Sequence, residues 1–176
     1  MKWIVITMPE FIRNEAKYIE QLFESGIDLL HLRKPEASLE DYENLIQKID
    51  AKWYPQIVIH EHFELCEKYH LHGIHLNKRN SGIPKDYKGH ISRSCHNFQE
   101  VTAALNIPFA NKDLEDAGNN GIINEKVVAL GGVIPQFIPQ LRAWNFGGAA
   151  FLGAVWNERH KYDWPDYLND IKKRLT

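Results

Sequence analysis

The stretch WIVITMPEFIRNEAKYIEQLFESGIDLLHL, residues 3–32, decides the fold class. Its two ends, WIVIT and IDLLHL, are short runs of the residue types that favour β-strands. The segment between them places apolar side chains at helical spacing, among them Ile12, Ile19, Leu22 and Phe23. The stretch therefore predicts a strand, a helix and a second strand.

The same alternation continues to the end of the chain. Five further β-type runs lie at residues 56–60, 73–76, 90–94, 127–132 and 147–153. The last two, VVALGG and GGAAFLG, are apolar throughout, which is typical of parallel strands that are buried on both faces. Between the runs are helical patterns, one of which begins with Ser38 as a predicted N-cap. Such an order leaves a doubly wound open sheet or a closed barrel, and we predict a single (β/α)8 TIM-barrel domain over residues 1–176.

Seven strands are predicted, whereas a closed TIM barrel needs eight. No strand fits between the helix that ends near Leu105 and the helix predicted at 113–119. Because neighbouring strands lie about 4.8 Å apart, a barrel without its sixth strand would leave two strands too far apart to hydrogen-bond. We therefore predict that strand six is missing from the sequence near residues 106–110.

The amino-acid composition restricts the kinds of molecule that the protein binds. The 176 residues carry 21 basic and 23 acidic side chains mixed along the chain, for a formal charge of −2, and no basic stripe indicates nucleic acid. No apolar run approaches the roughly 20 residues that cross a bilayer, and no h-region marks the first residues for export. The two cysteines have no CxxC or zinc spacing, which fits a reducing compartment. We expect a cytoplasmic protein with a small-molecule ligand. Barrels of this type often dimerise, so a homodimer is an alternative to a monomer.

Polar residues follow several predicted strands, at the end of a parallel barrel that carries the active site. His31 and Arg33 follow the second strand, and Ser94 and His96 follow the fifth. Arg33 has five fixed donors that suit a phosphate or a carboxylate. We predict that His31, Arg33 and Ser94 bind the substrate or its phosphate. A neutral imidazole both accepts and donates protons, so His96, at the predicted mouth, is the candidate catalytic residue.

Glycines end the last two predicted strands. Gly131 and Gly132 close VVALGG, and Gly153 closes GGAAFLG. Barrels of this kind commonly bind phosphate through backbone N–H groups at these two ends, and glycine lets an anion approach the backbone closely. We predict that these three glycines bind the phosphate of the ligand.

Three further candidates, His60, Glu61 and His75, lie in or directly after predicted strands. His60 and Glu61 follow the third strand, and as neighbours on a strand they face opposite ways. Only one of the two is expected to face the site. His75 lies inside the run GIHL, where we expect a hydrogen-bonded core histidine.

Five segments together resemble the thiamin phosphate synthase and thiazole tautomerase superfamily. They are LLHLRKPEASLEDY, IVIHEHFELCEKYHLHGIHLNKRN, HISRSCHNFQEV, VVALGGV and FGGAAFLGAVW, and they occur in the family's order over nearly the whole chain. The resemblance implies a TIM barrel that acts on a thiazole phosphate in thiamin biosynthesis.

The synthase branch of that superfamily joins a hydroxymethylpyrimidine diphosphate to a thiazole phosphate and uses Mg²⁺. The resemblance places Glu61 at one of its metal-binding aspartates, so Glu61 is the metal ligand if the protein is a synthase. Asn80 stands at the second aspartate and Pro35 at a lysine, and both changes remove charge from the diphosphate site.

The tautomerase branch isomerises a thiazole carboxylate phosphate and needs no diphosphate site and no metal cofactor. HISRSCHN resembles its signature, and His96 aligns with its catalytic histidine. Because the departures fall where only the synthase needs charge, the sequence favours the tautomerase. The Mg²⁺-dependent synthase and a non-catalytic barrel that binds a thiamin-related phosphate are the alternatives.

Overall fold

A seven-stranded parallel sheet forms the centre of the protein, in a computed structural model that describes residues 1–105 and 114–176. Its strands are β1 (Lys2–Ile6), β2 (Leu29–Leu32), β3 (Ile57–Ile59), β4 (Gly73–Leu76), β5 (His90–Arg93), β6 (Val128–Ala129) and β7 (Gly148–Phe151). The spatial order is β5-β4-β3-β2-β1-β7-β6, and every neighbouring pair is parallel. The last strands of the chain therefore lie beside the first, as they do in a barrel.

Eight α-helices and two 3-10 helices connect or follow the strands. The α-helices are α1 (Glu15–Ser25), α2 (Leu39–Gln47), α3 (Glu64–Lys68), α4 (Phe98–Leu105), α5 (Leu114–Asn119), α6 (Ile138–Ala143), α7 (Gly153–Trp156) and α8 (Trp164–Leu175). The 3-10 helices are Ala51–Gln56 and Pro135–Phe137. No helix in the described ranges is both long and apolar enough to cross a membrane.

All seven predicted strands are confirmed, and so is the predicted start of α2. The Ser38 hydroxyl accepts a hydrogen bond from the backbone N–H of Asp41 at 3.1 Å, as an N-cap residue does. The barrel prediction is confirmed in part. The described strands form an incomplete, curled barrel in which β5 and β6 are the two edges and do not pair with each other. The strand predicted to be missing near residues 106–110 lies outside the described residues.

Apolar side chains fill both faces of the sheet. The larger cluster lies between the strands and the surrounding helices and includes Trp3, Leu30 and Trp156, each no more than 2% exposed. A smaller cluster on the inner face consists of Ile4, Ile6, Leu29, Val58 and Ala150. The β-strands have the continuous apolar character predicted for a parallel sheet because each face packs against other side chains.

A buried ion pair holds the loop after β2 against the start of α1. The Lys34 ammonium lies 2.6 Å from a Glu15 carboxylate oxygen, and it also donates to the carbonyl oxygens of Met8 and Glu10 at 2.8 and 2.7 Å. Burial raises the pKa of Glu15 and lowers that of Lys34, and the contact between the two opposes both shifts. Lys34 is therefore a structural residue that holds the loop after β1, and its ammonium is not free to bind a ligand.

Replacing Lys34 by methionine should lower the free energy of unfolding by about 3–5 kcal/mol, because it leaves the Glu15 carboxylate buried without its partner. Urea denaturation monitored by circular dichroism measures the change. Lys161→Met removes the exposed Lys161–Glu158 pair and should leave the denaturation midpoint nearly unchanged. The double variant Lys34→Met/Glu15→Leu should recover part of the loss, and no recovery would show that the effect is not electrostatic.

Candidate active site

Residues from both edges of the sheet and from its centre line one cavity of about 2060 Å³. The cavity includes the inner faces of β1 to β5 and the segments that follow β2, β5 and β6. It is larger than the roughly 300–1,000 Å³ of most ligand sites because the sheet is not closed between β5 and β6. Of the predicted site residues, His31, Arg33, Ser94, His96, Gly131 and Gly132 all line it.

Three histidines meet on the inner face of neighbouring strands. His31 is on β2, His60 follows β3 and His75 is on β4, and each is at most 7% exposed. His31 Nδ1 lies 3.0 Å from His60 Nε2. The rings of His60 and His75 stack with their centroids 4.2 Å apart. We call these three residues the histidine cluster.

Two serines on and after β5 complete the surroundings of His75. The Ser92 hydroxyl lies 2.9 Å from His75 Nδ1, and the Ser94 hydroxyl lies 2.9 Å from His75 Nε2. His75 is thus the hydrogen-bonded histidine that the sequence predicted, and Ser94 contacts it directly. His60 and Glu61 face opposite ways, also as predicted, because His60 joins the cluster and Glu61 does not.

The histidine cluster is neutral near pH 7. Burial is the largest cause in each case: it lowers the pKa of His75 to about 4 and that of His31 to about 3, and it also lowers the pKa of His60. The neighbouring histidines add to the shifts of His31 and His60, because each disfavours a second positive charge nearby. Strand periodicity could show only that each histidine faces inwards on its own strand. It could not show that the three side chains meet, because they are far apart in the chain.

Arg33 is anchored through its backbone at the end of β2. Its N–H donates to the Thr7 hydroxyl at 2.9 Å, and that hydroxyl donates to the Arg33 carbonyl oxygen at 3.1 Å. Thr7 directly follows β1, so the pair of bonds ties the ends of the two central strands together. The half-buried Arg33 side chain lines the cavity, where a guanidinium suits a bidentate contact with phosphate.

Glu61 is buried beside the loop after β2. One carboxylate oxygen accepts a hydrogen bond from the Lys34 backbone N–H at 3.0 Å. The other has no hydrogen-bond partner among the described residues, and it lies 3.8 Å from the Arg79 guanidinium. Burial raises the pKa of Glu61, while the Lys34 N–H and Arg79 oppose that shift. The neighbouring Asn80 donates its side-chain amide to the His60 carbonyl oxygen at 2.9 Å.

The two glycines after β6 adopt a backbone conformation that other residues rarely take. Gly131 and Gly132 have φ values of 93° and 64°, a region that favours glycine, and a side chain at either position would point into open space. Both line the cavity. Gly153 does not line it: it begins the four-residue helix α7, next to Leu152, which does.

His96 lies between β5 and α4 and is exposed. Its backbone N–H donates to the Glu100 carboxylate at 2.8 Å, which holds the turn into α4. His96 lines the cavity and is not part of the histidine cluster. The structure therefore leaves its ring accessible to a ligand from the cavity.

The fold and the cavity define the chain as a parallel β/α protein of the barrel type, with its polar residues gathered at the carboxyl ends of the strands. No protein-family model matches the chain. The crystal structure of a thiamine phosphate pyrophosphorylase from Bacteroides thetaiotaomicron is 39% identical, covers 99% of this chain and 97% of its own, and superposes with a TM-score of 0.91. The chain belongs to the thiamine phosphate pyrophosphorylase, or thiamin phosphate synthase, family.

A more distant curated relative and a second solved structure are also similar to the chain. A thiamine-phosphate synthase of Proteus mirabilis (strain HI4320) is 22% identical over 170 residues, which cover 81% of this chain and 79% of that protein. A thiamine phosphate pyrophosphorylase from Pyrococcus furiosus is 18% identical over 99% of this chain and 95% of its own, with a TM-score of 0.71, and shows the same fold. The relatives favour the synthase alternative over the tautomerase that the sequence analysis preferred.

The neutral histidine cluster should make the protein sensitive to acid. Between pH 6.5 and about 4 the unfolded chain binds a proton at His75 that the folded chain does not, so stability falls as the pH falls. The loss for this one residue is about 1.4 kcal/mol per pH unit inside that window. Urea denaturation at several pH values should therefore give a shallower pH dependence for His75→Gln than for the unaltered protein. Equal slopes would contradict a neutral, buried His75.

Proposed function

We propose that the protein is a thiamin phosphate synthase, which joins a hydroxymethylpyrimidine diphosphate to a thiazole phosphate and releases diphosphate. The observation that carries the proposal is the 39% identity, over nearly the full length of both chains, to a protein described as a thiamine phosphate pyrophosphorylase. The reaction transfers the pyrimidine methylene group from a diphosphate oxygen to the thiazole nitrogen.

The cavity supports this reaction with groups that attract anions. As the carbon–oxygen bond breaks, negative charge grows on the leaving diphosphate, and preorganised donors that stabilise such charge lower the barrier. Arg33 supplies a positive charge at the end of β2. Ser94 and His31 supply polar groups beneath it, and the backbone at Gly131 and Gly132 is open to a phosphate, with Gly153 at the adjoining start of α7.

The residues also fit Mg²⁺, the metal that the family resemblance implies. Glu61 leaves one buried carboxylate oxygen without a hydrogen bond, and oxygen is the ligand that Mg²⁺ prefers. Mg²⁺ commonly binds through one or two carboxylates together with substrate phosphates. Glu61 does not itself line the cavity, but Arg79, whose guanidinium lies next to its free oxygen, does, so a diphosphate bound at this edge of the cavity would have Glu61 close by. When bound, the ion would neutralise part of the diphosphate charge. Asn80 holds the backbone after β3 in place through the His60 carbonyl oxygen.

Glu61→Gln should lower the Mg²⁺-dependent formation of thiamin phosphate by at least about 10-fold, because the amide removes the negative charge that attracts the cation. The coupling assay with pyrimidine diphosphate and thiazole phosphate measures the rate over a range of Mg²⁺ concentrations. Glu64→Gln, which neutralises the exposed glutamate at the start of α3, is the matched control and should keep the full rate.

One result would contradict the synthase proposal, and another would contradict the metal-binding role of Glu61. One is no product from the unaltered protein at high enzyme concentration and saturating Mg²⁺, together with tight binding of thiazole phosphate. That outcome would favour the non-catalytic binding barrel. The other is a product that forms equally well without Mg²⁺, which would remove the role assigned to Glu61.

The thiazole tautomerase is the second candidate, and the position of His96 is the observation that favours it. Its ring lies exposed on the cavity wall rather than in the histidine cluster. A general base must come within hydrogen-bond reach of the proton that it moves, and an exposed imidazole at the mouth can meet a bound thiazole ring.

If the protein isomerises thiazole carboxylate phosphate, His96→Asn should lower turnover by about 100-fold or more, because the proton-transfer group is lost. Binding of thiazole phosphate should stay largely intact. Ring isomerisation can be followed by absorbance, and binding by calorimetry. Full isomerase activity in His96→Asn would assign the proton transfer to another group.

A further inference from the structure

The histidine cluster is unusual for its place in the fold. The inner face of a small barrel is normally filled with branched apolar side chains, and the smaller apolar cluster of this protein has that composition. At the next level towards the mouth, three imidazoles from three adjacent strands replace apolar residues. Burying three polar rings is costly unless their nitrogens are used.

The separations between the rings suit a shared ion. One ring nitrogen from each of the three histidines lies within 4.8 Å of the other two. His31 Nδ1 and His60 Nε2 are 3.0 Å apart. Two nitrogens bound to the same zinc ion at 2.0–2.1 Å with tetrahedral angles are about 3.3 Å apart. A shift of a few tenths of an ångström brings these two nitrogens to that separation, and the stacked His60 and His75 rings must also rotate apart for their in-plane lone pairs to reach the same ion.

The serine contacts of His75 set its tautomer: Nδ1 carries the proton and Nε2 carries the lone pair. The Ser92 hydroxyl donates to the Ile74 carbonyl oxygen at 3.4 Å, so it accepts from His75 Nδ1–H. Nε2 then carries the lone pair and accepts from the Ser94 hydroxyl. A histidine that binds a metal through one nitrogen usually donates its other N–H to a neighbouring acceptor, which is the arrangement that Ser92 provides.

The geometry points to a binding site for a divalent transition-metal ion of the zinc or cobalt type, held by His31, His60 and His75. Neutral imidazoles suit such ions, whereas Mg²⁺ prefers oxygen ligands, so the site is distinct from that of Glu61. Three protein ligands leave a coordination position for water or a ligand oxygen. All three histidines line the same cavity as Arg33, so a ligand in the cavity could reach that position.

The test uses the full chain, freed of metal with a chelator and titrated with Co²⁺ while its visible absorption is recorded. We expect one Co²⁺ per chain, in competition with Zn²⁺. His60→Ala should weaken binding by more than about 100-fold, because loss of a supporting residue alone typically costs about 10–100-fold. Ser92→Ala, which removes only the acceptor for His75, should weaken it by about 10-fold.

His90→Ala is the matched control. His90 lies on β5 outside the cluster, and its ring is 4.8 Å from that of His72, so these two exposed or half-buried rings are the competing place for a metal. Binding should survive in His90→Ala. Binding that persists in His60→Ala, disappears in His90→Ala, or is absent from the unaltered protein at about 1 mM Co²⁺ would overturn the proposal.

The following controls separate a loss of metal binding from misfolding and from a loss of catalytic activity. Circular dichroism checks each variant, and His60→Gln, which retains the polar volume, replaces His60→Ala if the latter does not fold. No thiamin precursor is present in the titration. A protein that binds Co²⁺ without making thiamin phosphate would overturn the synthase proposal alone, and the reverse result would overturn the metal site alone.

Discussion

The parallel pairing of β1 with β7 is the constraint on which the rest of the molecule depends. It places the first and the last strand of the chain side by side, with Lys2 opposite Gly148 and Val5 opposite Phe151. The buried Trp156 indole donates to the Ile6 carbonyl oxygen at 2.7 Å and reinforces this junction. Because β1 also pairs with β2, the pairing brings the end of β6 and the end of β2 onto one cavity. Arg33 and the glycines after β6 share a site for this reason.

Desolvation governs the chemistry of that site. The histidine cluster and Glu61 are all buried, and burial is the first cause of the shift in pKa at each of them. It keeps the imidazoles neutral and opposes charge on the carboxylate. The cavity is thus lined by neutral imidazoles, by the Arg33 guanidinium and by the backbone of Gly131 and Gly132. This combination suits a ligand that has an anionic part and a less polar part.

The chain combines clear family membership with altered positions in the family's diphosphate site. Pro35 stands where the resemblance places a lysine, and the adjacent Lys34 does not replace it, because its ammonium is buried against Glu15. Asn80 stands at an aspartate position and uses its amide to support the backbone of His60. Fewer charges therefore surround the proposed diphosphate than the resemblance implies. Arg33 and Glu61 are the retained groups that give the synthase proposal its chemistry.

The sequence by itself determined the seven strands, the parallel sheet, the capped start of α2 and the positions of Arg33, Ser94, His96 and the cavity glycines. These follow from local periodicity and from the rule that parallel strands carry ligands at their carboxyl ends. Only the tertiary structure decided that Lys34 is buried against Glu15 and does not line the cavity, and that His31, His60 and His75 meet. Those outcomes depend on which strands pair and in what register, and the partners are 15 or more residues apart in the chain. Local patterns carry no information on such separations.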